Sequence, residues 1–315
     1  VVAAGARRYW WIWLAVIPVA AWALVRALGL DGSSSLVPLL AFTPYVAVAA
    51  FLVAGLAVAF GNWAAATVAG VATLCLAAAV LPRAVGDGTA EAAGHERLSV
   101  LSANIHRGTA DPEALVGLVE RLHPDLLNIQ ELTPRFVGEL REAGLGRLLP
   151  HSVLAVFPDN PKIPGLGIYS RLPLRRLSRP DNHRVGAAVR MPSGRSIRVV
   201  DVHPHTPKPG HIGEWSRSLE GLPSAGTGTP RLLVGDFNAT LDQVELRDVV
   251  ARGYRDAADV AGKGLEPTWP VGDDLPPVIT IDHVLADRRL GIVEYSVVDQ
   301  PGSDHRAIHA VLSLP

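Results

Sequence analysis

Hydrophobic and polar positions divide the chain into two regions with different periods. Residues 36–60, LVPLLAFTPYVAVAAFLVAGLAVAF, run for 25 positions without a charge, and residues 64–82 for 19. At about 1.5 Å per helical residue, each stretch is long enough for a hydrocarbon core of roughly 30 Å. Residues 9–30 are nearly as apolar, with Tyr9, Trp10, Trp11 and Trp13 forming an interfacial belt at one end and Arg26 close enough to the other to reach headgroups. The pattern predicts a membrane domain over residues 1–83 with three transmembrane helices, at about 9–30, 36–60 and 64–82. A cleaved signal peptide followed by a buried helical hairpin is the competing reading, but three such segments in a row exceed what a soluble core needs. Arg7 and Arg8 ahead of the first span favour a cytoplasmic N-terminus. Three crossings then place everything that follows outside the cytoplasm, in a multi-pass protein of the cell membrane.

Beyond residue 83 the pattern changes. Residues 84–96 are rich in Gly and Ala and read as a flexible linker. From residue 97 short apolar runs alternate with amphipathic segments. RLSVLSANI (97–105) and DLLNIQEL (125–132) read as strands. Asp111 before Pro112 and Thr133 before Pro134 are N-caps with proline in the first helical turn, so a helix follows each strand. Further strands are expected at GLGIYSR (165–171), HRVGAAVRM (183–191), SIRVVDVHP (196–204), RLLVGDFN (231–238), PVITIDHVLA (277–286) and RAIHAVLSL (306–314). Helical pieces fill 211–221 and 241–252. Many strands with a few helices predict a layered α/β domain over 97–315, built on two packed sheets.

Composition sharpens the division. All but four of the 29 Lys and Arg, all but three of the 30 Asp and Glu, and all 11 His lie after residue 94. Polar chemistry therefore belongs to the second region. Its slight acidic excess argues against a duplex-DNA enzyme, which needs a basic face to neutralise phosphates. The lone Cys75 excludes an internal disulfide and leaves the compartment open.

The predicted strands end in a common chemical style. Asn104 closes the first and Glu131 the second. His203 follows RVVDV, Asp236 and Asn238 follow LLVG, Asp282 and His283 follow VITI, and Asp304 with His305 precede the last strand. Adjacent strands finish near each other, so these groups gather on one rim. Carboxylates, Asn and His together suit a hard divalent cation and a phosphate ester. Mg²⁺, or Mn²⁺ in its place, needs one or two carboxylates, a further carboxylate orients water, and an imidazolium meets developing phosphoryl charge. Singly, each piece has a plainer reading: Gly-Asp-x-Asn after a strand is commonly an Asx turn.

As a set, in this order, the motifs resemble the endonuclease/exonuclease/phosphatase superfamily over residues 97–315. SANIHRG is similar to its first motif, with Asn104 at the position that contacts phosphate or metal, and NIQEL is similar to its Gln-Glu motif, implying Glu131 as principal metal ligand. VDVHPHTP resembles the His motif, with His203 toward the scissile phosphate. GDFNAT implies Asp236 as the water-orienting base and Asn238 as a phosphate-positioning partner. IDHVLA implies Asp282 as the group that orients the catalytic His, and GSDHRAI implies Asp304 near the metal and His305 as that imidazole. The resemblance also implies a four-layer α/β sandwich of two packed mixed sheets, and metal-dependent hydrolysis without a covalent intermediate.

Outside these motifs, His106 and Arg107 have two readings, a second phosphate contact on the same rim or a solvated turn. Lys162, on the loop leading into GLGIYSR, is a substrate-contact candidate, whereas Tyr169 reads as core. Trp215 and Trp269 fit a substrate groove or ordinary packing, with packing favoured. His205, His211 and His283 lack the short spacings of structural zinc. The membrane region with an NIHRG motif resembles the membrane-anchored teicoplanin/vancomycin-resistance-associated (VanJ-type) group. That resemblance implies a phosphohydrolase acting on undecaprenyl pyrophosphate, the lipid carrier of wall precursors. A tethered nuclease or phospholipid phosphodiesterase with the same site is the alternative.

Overall fold

The computed structural model describes residues 9–30, 36–88, 96–160, 163–177, 181, 183–272 and 276–314. A short 3-10 turn, Trp10–Ile12, leads into α1 (Trp13–Leu28), followed by α2 (Val37–Leu40), α3 (Thr43–Ala59), α4 (Trp63–Val80) and α5 (Pro82–Val85). Alanines line the seam between α1, α3 and α4: Ala50, Ala57, Ala65, Ala69 and Ala72 are buried there with Ile12, Val16 and Leu76. Small side chains let the backbones approach closely. The large ones face outward, with Leu14, Ile17, Phe51, Leu52 and Leu74 all more than half exposed. Such an exterior suits lipid rather than water.

Among the described residues, Trp10–Leu28 and Trp63–Val85 are long and apolar enough to cross a membrane, and only 22% and 28% of their apolar windows are buried. The core helix of a soluble protein would be mostly covered. The single span expected over 36–60 is divided. Pro44 lacks an N–H and clashes with the carbonyl four residues back, so α2 stops at Leu40 and α3 restarts with Pro44 in its first turn. At 17 residues α3 is about 25 Å long, shorter than the continuous helical stretches Trp10–Leu28 and Trp63–Val85, at 19 and 23 residues. The start of the expected linker is also structured. α5 is helical, and Gly86 lies so close to α5's neighbour that a Cβ there would sit 2.5 Å from Gly262 N and Val260 O. Arg7, Arg8 and linker residues 89–95 lie outside the described residues.

The second region holds, in order, β1 (Arg97–Asn104), α6 (Pro112–Leu122), β2 (Leu126–Leu132), α7 (Pro134–Glu142), α8 (Leu145–Leu148), β3 (His151–Ala155), β4 (Gly165–Ser170), β5 (Leu174–Arg176), β6 (Arg184–Arg190), β7 (Ser196–Val202), α9 (Ile212–Glu220), β8 (Arg231–Asp236), α10 (Val244–Ala251), β9 (Tyr254–Asp256), α11 (Ala257–Val260), β10 (Asp282–Asp287), β11 (Gly291–Val298) and β12 (Ala307–Ser313). Asp111 and Thr133 cap α6 and α7 as expected, accepting from Ala114 N and Phe136 N. The strands form two six-stranded sheets, β11-β12-β1-β2-β4-β3 and β5-β6-β7-β8-β10-β9. The β1–β2 and β7–β8 pairs are parallel, and the remaining pairs are antiparallel. The sheets pack face to face through Val100, Leu126, Ile168, Val199, Val234 and Ile308. α6 and α7 cover the outer face of the first sheet with Leu115, Phe136 and Leu140. α9 and α10 cover the second with Trp215 and Leu246, giving four layers.

The two regions are joined by polar contacts, those of Arg83 and Gln243 fully buried. Arg26 Nε lies 3.0 Å from Asp242 Oδ1, and Arg83 approaches the same carboxylate with two nitrogens at 2.7 and 2.9 Å. Tyr45 donates to Val278 O, and Gln243 Nε2 donates to Val37 O. The end of α1, the start of α3 and the end of α4 and α5 therefore share the side that meets the sheets. Tyr9 and Trp11 pack on Phe60 at the opposite end.

Candidate active site

β1, β2, β7 and β8 run toward one rim, while β10 and β12 run away from it. The rim therefore gathers the last residues of four strands and the first residues of two. Asp282 and His283 open β10 instead of closing a strand, and residues 277–281 lie outside the sheet except for an isolated bridge between Ile279 and Trp269. A β-bulge between Gln130 and Leu132 gives Glu131 a φ of 59° and re-aims its side chain. His106, Arg107 and Asn238 also have positive φ, so four of the five such non-glycine residues described lie at this rim. The fifth, His123, ends α6. Strain of this kind costs about 1–3 kcal/mol per residue and is held only where the surroundings enforce it.

The Asx-turn reading of GDFN is correct, and the turn also serves the rim. Asp236 Oδ1 accepts from Asn238 N at 2.8 Å, which leaves Oδ2 facing Asn104 Nδ2 at 3.0 Å. Asn238 spends one side-chain N–H on Pro204 O, and its carbonyl accepts from Trp215 Nε1. Trp215 is thus core, as expected, and holds the turn in place.

The strand register sets Asp282 directly opposite Asp236. Two carboxylates in that position repel unless a cation lies between them. His305 supplies it, with Nδ1 3.0 Å from Asp282 Oδ2 and Nε2 3.7 Å from Asp236 Oδ2. Burial acts to lower the His305 pKa, but the charges of Asp282 and Asp236 and the Asp282 hydrogen bond outweigh it and push the pKa up to about 10. Burial raises the Asp236 carboxyl above its ordinary value; His305 opposes that rise and Asp282 adds to it.

His203 Nε2 lies 3.7 Å from Glu131 Oε1 and 3.6 Å from Asp236 Oδ2. Asn104 bridges the same two residues through Nδ2, at 3.5 and 3.0 Å. Its Oδ1 accepts from the His106 backbone N–H, which fixes the amide orientation. In this arrangement the Asn104 NH₂ faces the two carboxylates and its oxygen keeps one lone pair beyond the His106 contact. Asp304 sits on the outer side of His305, with Oδ1 3.9 Å from Nε2, 3.5 Å from His106 Nδ1, and Oδ2 accepting from Trp269 Nε1. Arg107 is exposed, with Nε 3.7 Å from Glu131 Oε2. Lys162 lies outside the described residues.

A divalent cation fits the donor set. Glu131 Oε2 is buried with no hydrogen-bond partner, the kind of orphaned oxygen a hard cation satisfies. Asp236, Asp282 and His305 also place ligand atoms within 4.8 Å of one another. Proton and metal compete for the same imidazole lone pair, so a His305 held protonated between two carboxylates is a charge partner for them.

Several supporting residues had no role assigned to them from the sequence, although Gln130, Asp201 and Ser303 lie inside the motifs. Gln130 Nε2 donates to Asp201 Oδ1 at 2.5 Å, and Gly167 N donates to its Oδ2, so one buried carboxyl ties β2, β4 and β7 together. Burial pushes Asp201 well above the usual carboxylate range. A charged residue inside the apolar run RVVDV was the available signal. Ser303 Oγ and Gln300 Nε2 both donate to Asn104 O, holding the last loop to β1. The other imidazoles do not converge on a metal: His211 pairs with Glu214 at the surface, and His283 is buried against Asp256. Tyr169 is core, as expected.

The chain matches the Endonuclease/Exonuclease/phosphatase family over residues 101–305. Curated proteins contain no match. Among solved structures it is similar to humanized D. rerio TDP2, at TM-score 0.54 and 16% identity over 69% of this chain and 99% of that one. It is also similar to an endonuclease/exonuclease/phosphatase from Beutenbergia cavernae, at TM-score 0.52 and 19% identity over 69% and 72%. A functionally unknown conserved protein from Enterococcus faecalis gives TM-score 0.53 and 18% identity over 69% and 100%. With the family match spanning about two-thirds of its length, the chain belongs to the endonuclease/exonuclease/phosphatase family of metal-dependent phosphoric ester hydrolases.

Proposed function

We propose that the protein is a membrane-anchored phosphohydrolase that cleaves a lipid-borne pyrophosphate, undecaprenyl pyrophosphate or a related polyprenyl carrier, outside the cytoplasm. All three long apolar helices cross the membrane in this reading, with α3 as the short one. The observation that carries it is the pairing of Arg26 and Arg83, at the same-side ends of the two longest apolar helices, with Asp242 in the segment that follows Asp236 and Asn238. This clamp supports a catalytic rim held at the membrane surface, where a substrate confined to the bilayer reaches a high effective concentration. Loss of the carrier's terminal phosphate would alter wall-precursor cycling, which links the activity to glycopeptide resistance.

Each rim residue then has a task. Asp236 aligns water in line with the scissile bond, and His305, kept protonated and oriented by Asp282, meets the charge that develops on the phosphoryl oxygens. His203 and Asn238 position the phosphoryl group, Asn104 orients Glu131 and Asp236, His106 and Arg107 contact the second phosphate, and Lys162 is a further substrate-contact candidate. A bound Mg²⁺ or Mn²⁺ on Glu131 and Asp304 supplies Lewis-acid polarisation of a phosphoryl oxygen.

The test uses the full chain in detergent with Mg²⁺, comparing phosphate release from undecaprenyl pyrophosphate with cleavage of single-stranded DNA and of a phospholipid. Faster turnover of the lipid pyrophosphate is expected. Equal or faster cleavage of either other substrate overturns the reading. A reporter fused after Pro315 and active only outside the cytoplasm checks the orientation.

A further inference from the structure

The rim described above is one wall of a cavity of about 630 Å³. His106, Glu131, His203, Asp236 and His305 line the polar side. The same cavity is lined by Trp269, Ile279 and Ile281 from the catalytic region, and by Pro38, Ala41 and Phe42 from the segment that joins the first two long apolar helices. The membrane region is therefore part of the cleft as well as its tether.

That segment is fixed in place. Val37 is fully buried among Trp215, Phe237 and Leu246, and its carbonyl accepts from Gln243 Nε2 at 2.9 Å. From Phe42 into α3, large apolar side chains recur at every third or fourth position, Phe42, Tyr45, Val48 and Leu52, each 41–63% exposed. The stripe begins beside the cleft at Phe42 and continues along the outward face of α3. A phosphate-binding rim and an exposed apolar face leading away from it match a molecule with a charged head and a hydrocarbon chain.

We propose that Pro38, Ala41 and Phe42 form the entry subsite for the first part of the chain of a polyprenyl pyrophosphate, so that the membrane region sets chain-length preference. This rests on the lipid reading given above and adds the residues that recognise the lipid. Phe42 stands where the track meets the cleft. Its ring lies 6.2 Å from that of Tyr45 and is partly exposed, so replacing it removes little buried packing.

The experiment compares kcat/KM for undecaprenyl pyrophosphate and for isopentenyl pyrophosphate, using the full chain in detergent micelles. The ratio of the two values is the readout. In Phe42→Ser the ratio falls about tenfold, equivalent to about 1.4 kcal/mol of chain binding, while Phe42→Leu keeps it within about twofold of wild type. An unchanged ratio in Phe42→Ser overturns the subsite, and so does an equal fall in Phe42→Leu, which would reflect local distortion. If the wild type hydrolyses undecaprenyl pyrophosphate and only the Phe42 dependence is missing, the entry subsite fails and the proposed function stands. If the wild type cleaves neither pyrophosphate, the proposed function fails first. A phosphatidic acid arm with the same Phe42 dependence would overturn the commitment to a single-chain lipid.

Discussion

Asp236 and Asp282 face each other across β8 and β10 with His305 between them, an arrangement that ties charge state to geometry. Removing the Asp282 charge takes away a large part of what keeps His305 protonated. Asp282→Asn is expected to lower kcat/KM about 10- to 100-fold, as loss of an orienting partner does. Because the His305 pKa then falls from about 10, the alkaline limb of the pH–rate profile moves to lower pH; an unmoved limb would exclude a protonated His305 from the rate-determining step. His283 gives a second pH dependence, in stability. Its two ring nitrogens lie 2.5 Å from Asp256 Oδ2 and 2.9 Å from Ala239 O, and only the imidazolium can donate to both. Burial acts to lower its pKa, and Asp256 more than reverses this, so the folded value lies above the unfolded one. The stabilisation is fully present below about pH 6.5, the unfolded value, and is lost as pH rises through the folded pKa. The Tm difference between wild type and His283→Gln should therefore shrink as pH is raised, measured by thermal unfolding in one detergent.

At the scale of elements, the rim depends on two local distortions. One is the bulge that re-aims Glu131. The other is Gly235, which has φ of 142° where β8 pairs with β7; a Cβ there would overlap the Val202 carbonyl oxygen. Gly235→Ala is expected to cost about 2 kcal/mol or more and to reduce turnover by displacing Asp236, as read by urea denaturation and initial rates. The strands that sequence pattern did not reveal are β3, β5, β9 and β11, the four edges of the two sheets. Edge strands are paired on one side only: β3, β5 and β9 are short, and β11, though eight residues long, is interrupted by Glu294 and Ser296, so none has the apolar continuity of the central strands. Central strands, buried on both faces, announced themselves. The divided span at Pro44 followed a different rule: composition was continuous, but a missing N–H set the boundary.

At the scale of the whole molecule, Asp242 connects the two regions. It is almost completely buried and faces two nearly buried arginines that are distant from it in sequence. Removing one partner from such a cluster leaves uncompensated charge, at a cost of about 3–5 kcal/mol. Asp242→Ala should lose that much stability in detergent, and adding Arg26→Met and Arg83→Met should restore most of it. An Asp242→Ala protein as stable as wild type would show that the docking rests on the apolar contacts of Val37 instead.

The two-region layout, the α/β alternation and nearly all of the rim were readable from sequence, because strand interiors demand continuous apolar residues and any polar group at their ends stands out. Asn104, Glu131, His203, Asp236, Asn238, Asp282, Asp304 and His305 were all singled out this way, and the structure brings them together. Pairing across long sequence separations was not readable. The direction of the Asn104 amide, the Asp282–Asp236 register, the convergence of Arg26 and Arg83 on Asp242, and the sharing of one cavity by Phe42 and His305 exist only once the chain has folded. Local composition determines which residues can be buried or charged. Tertiary packing alone decides which of them meet.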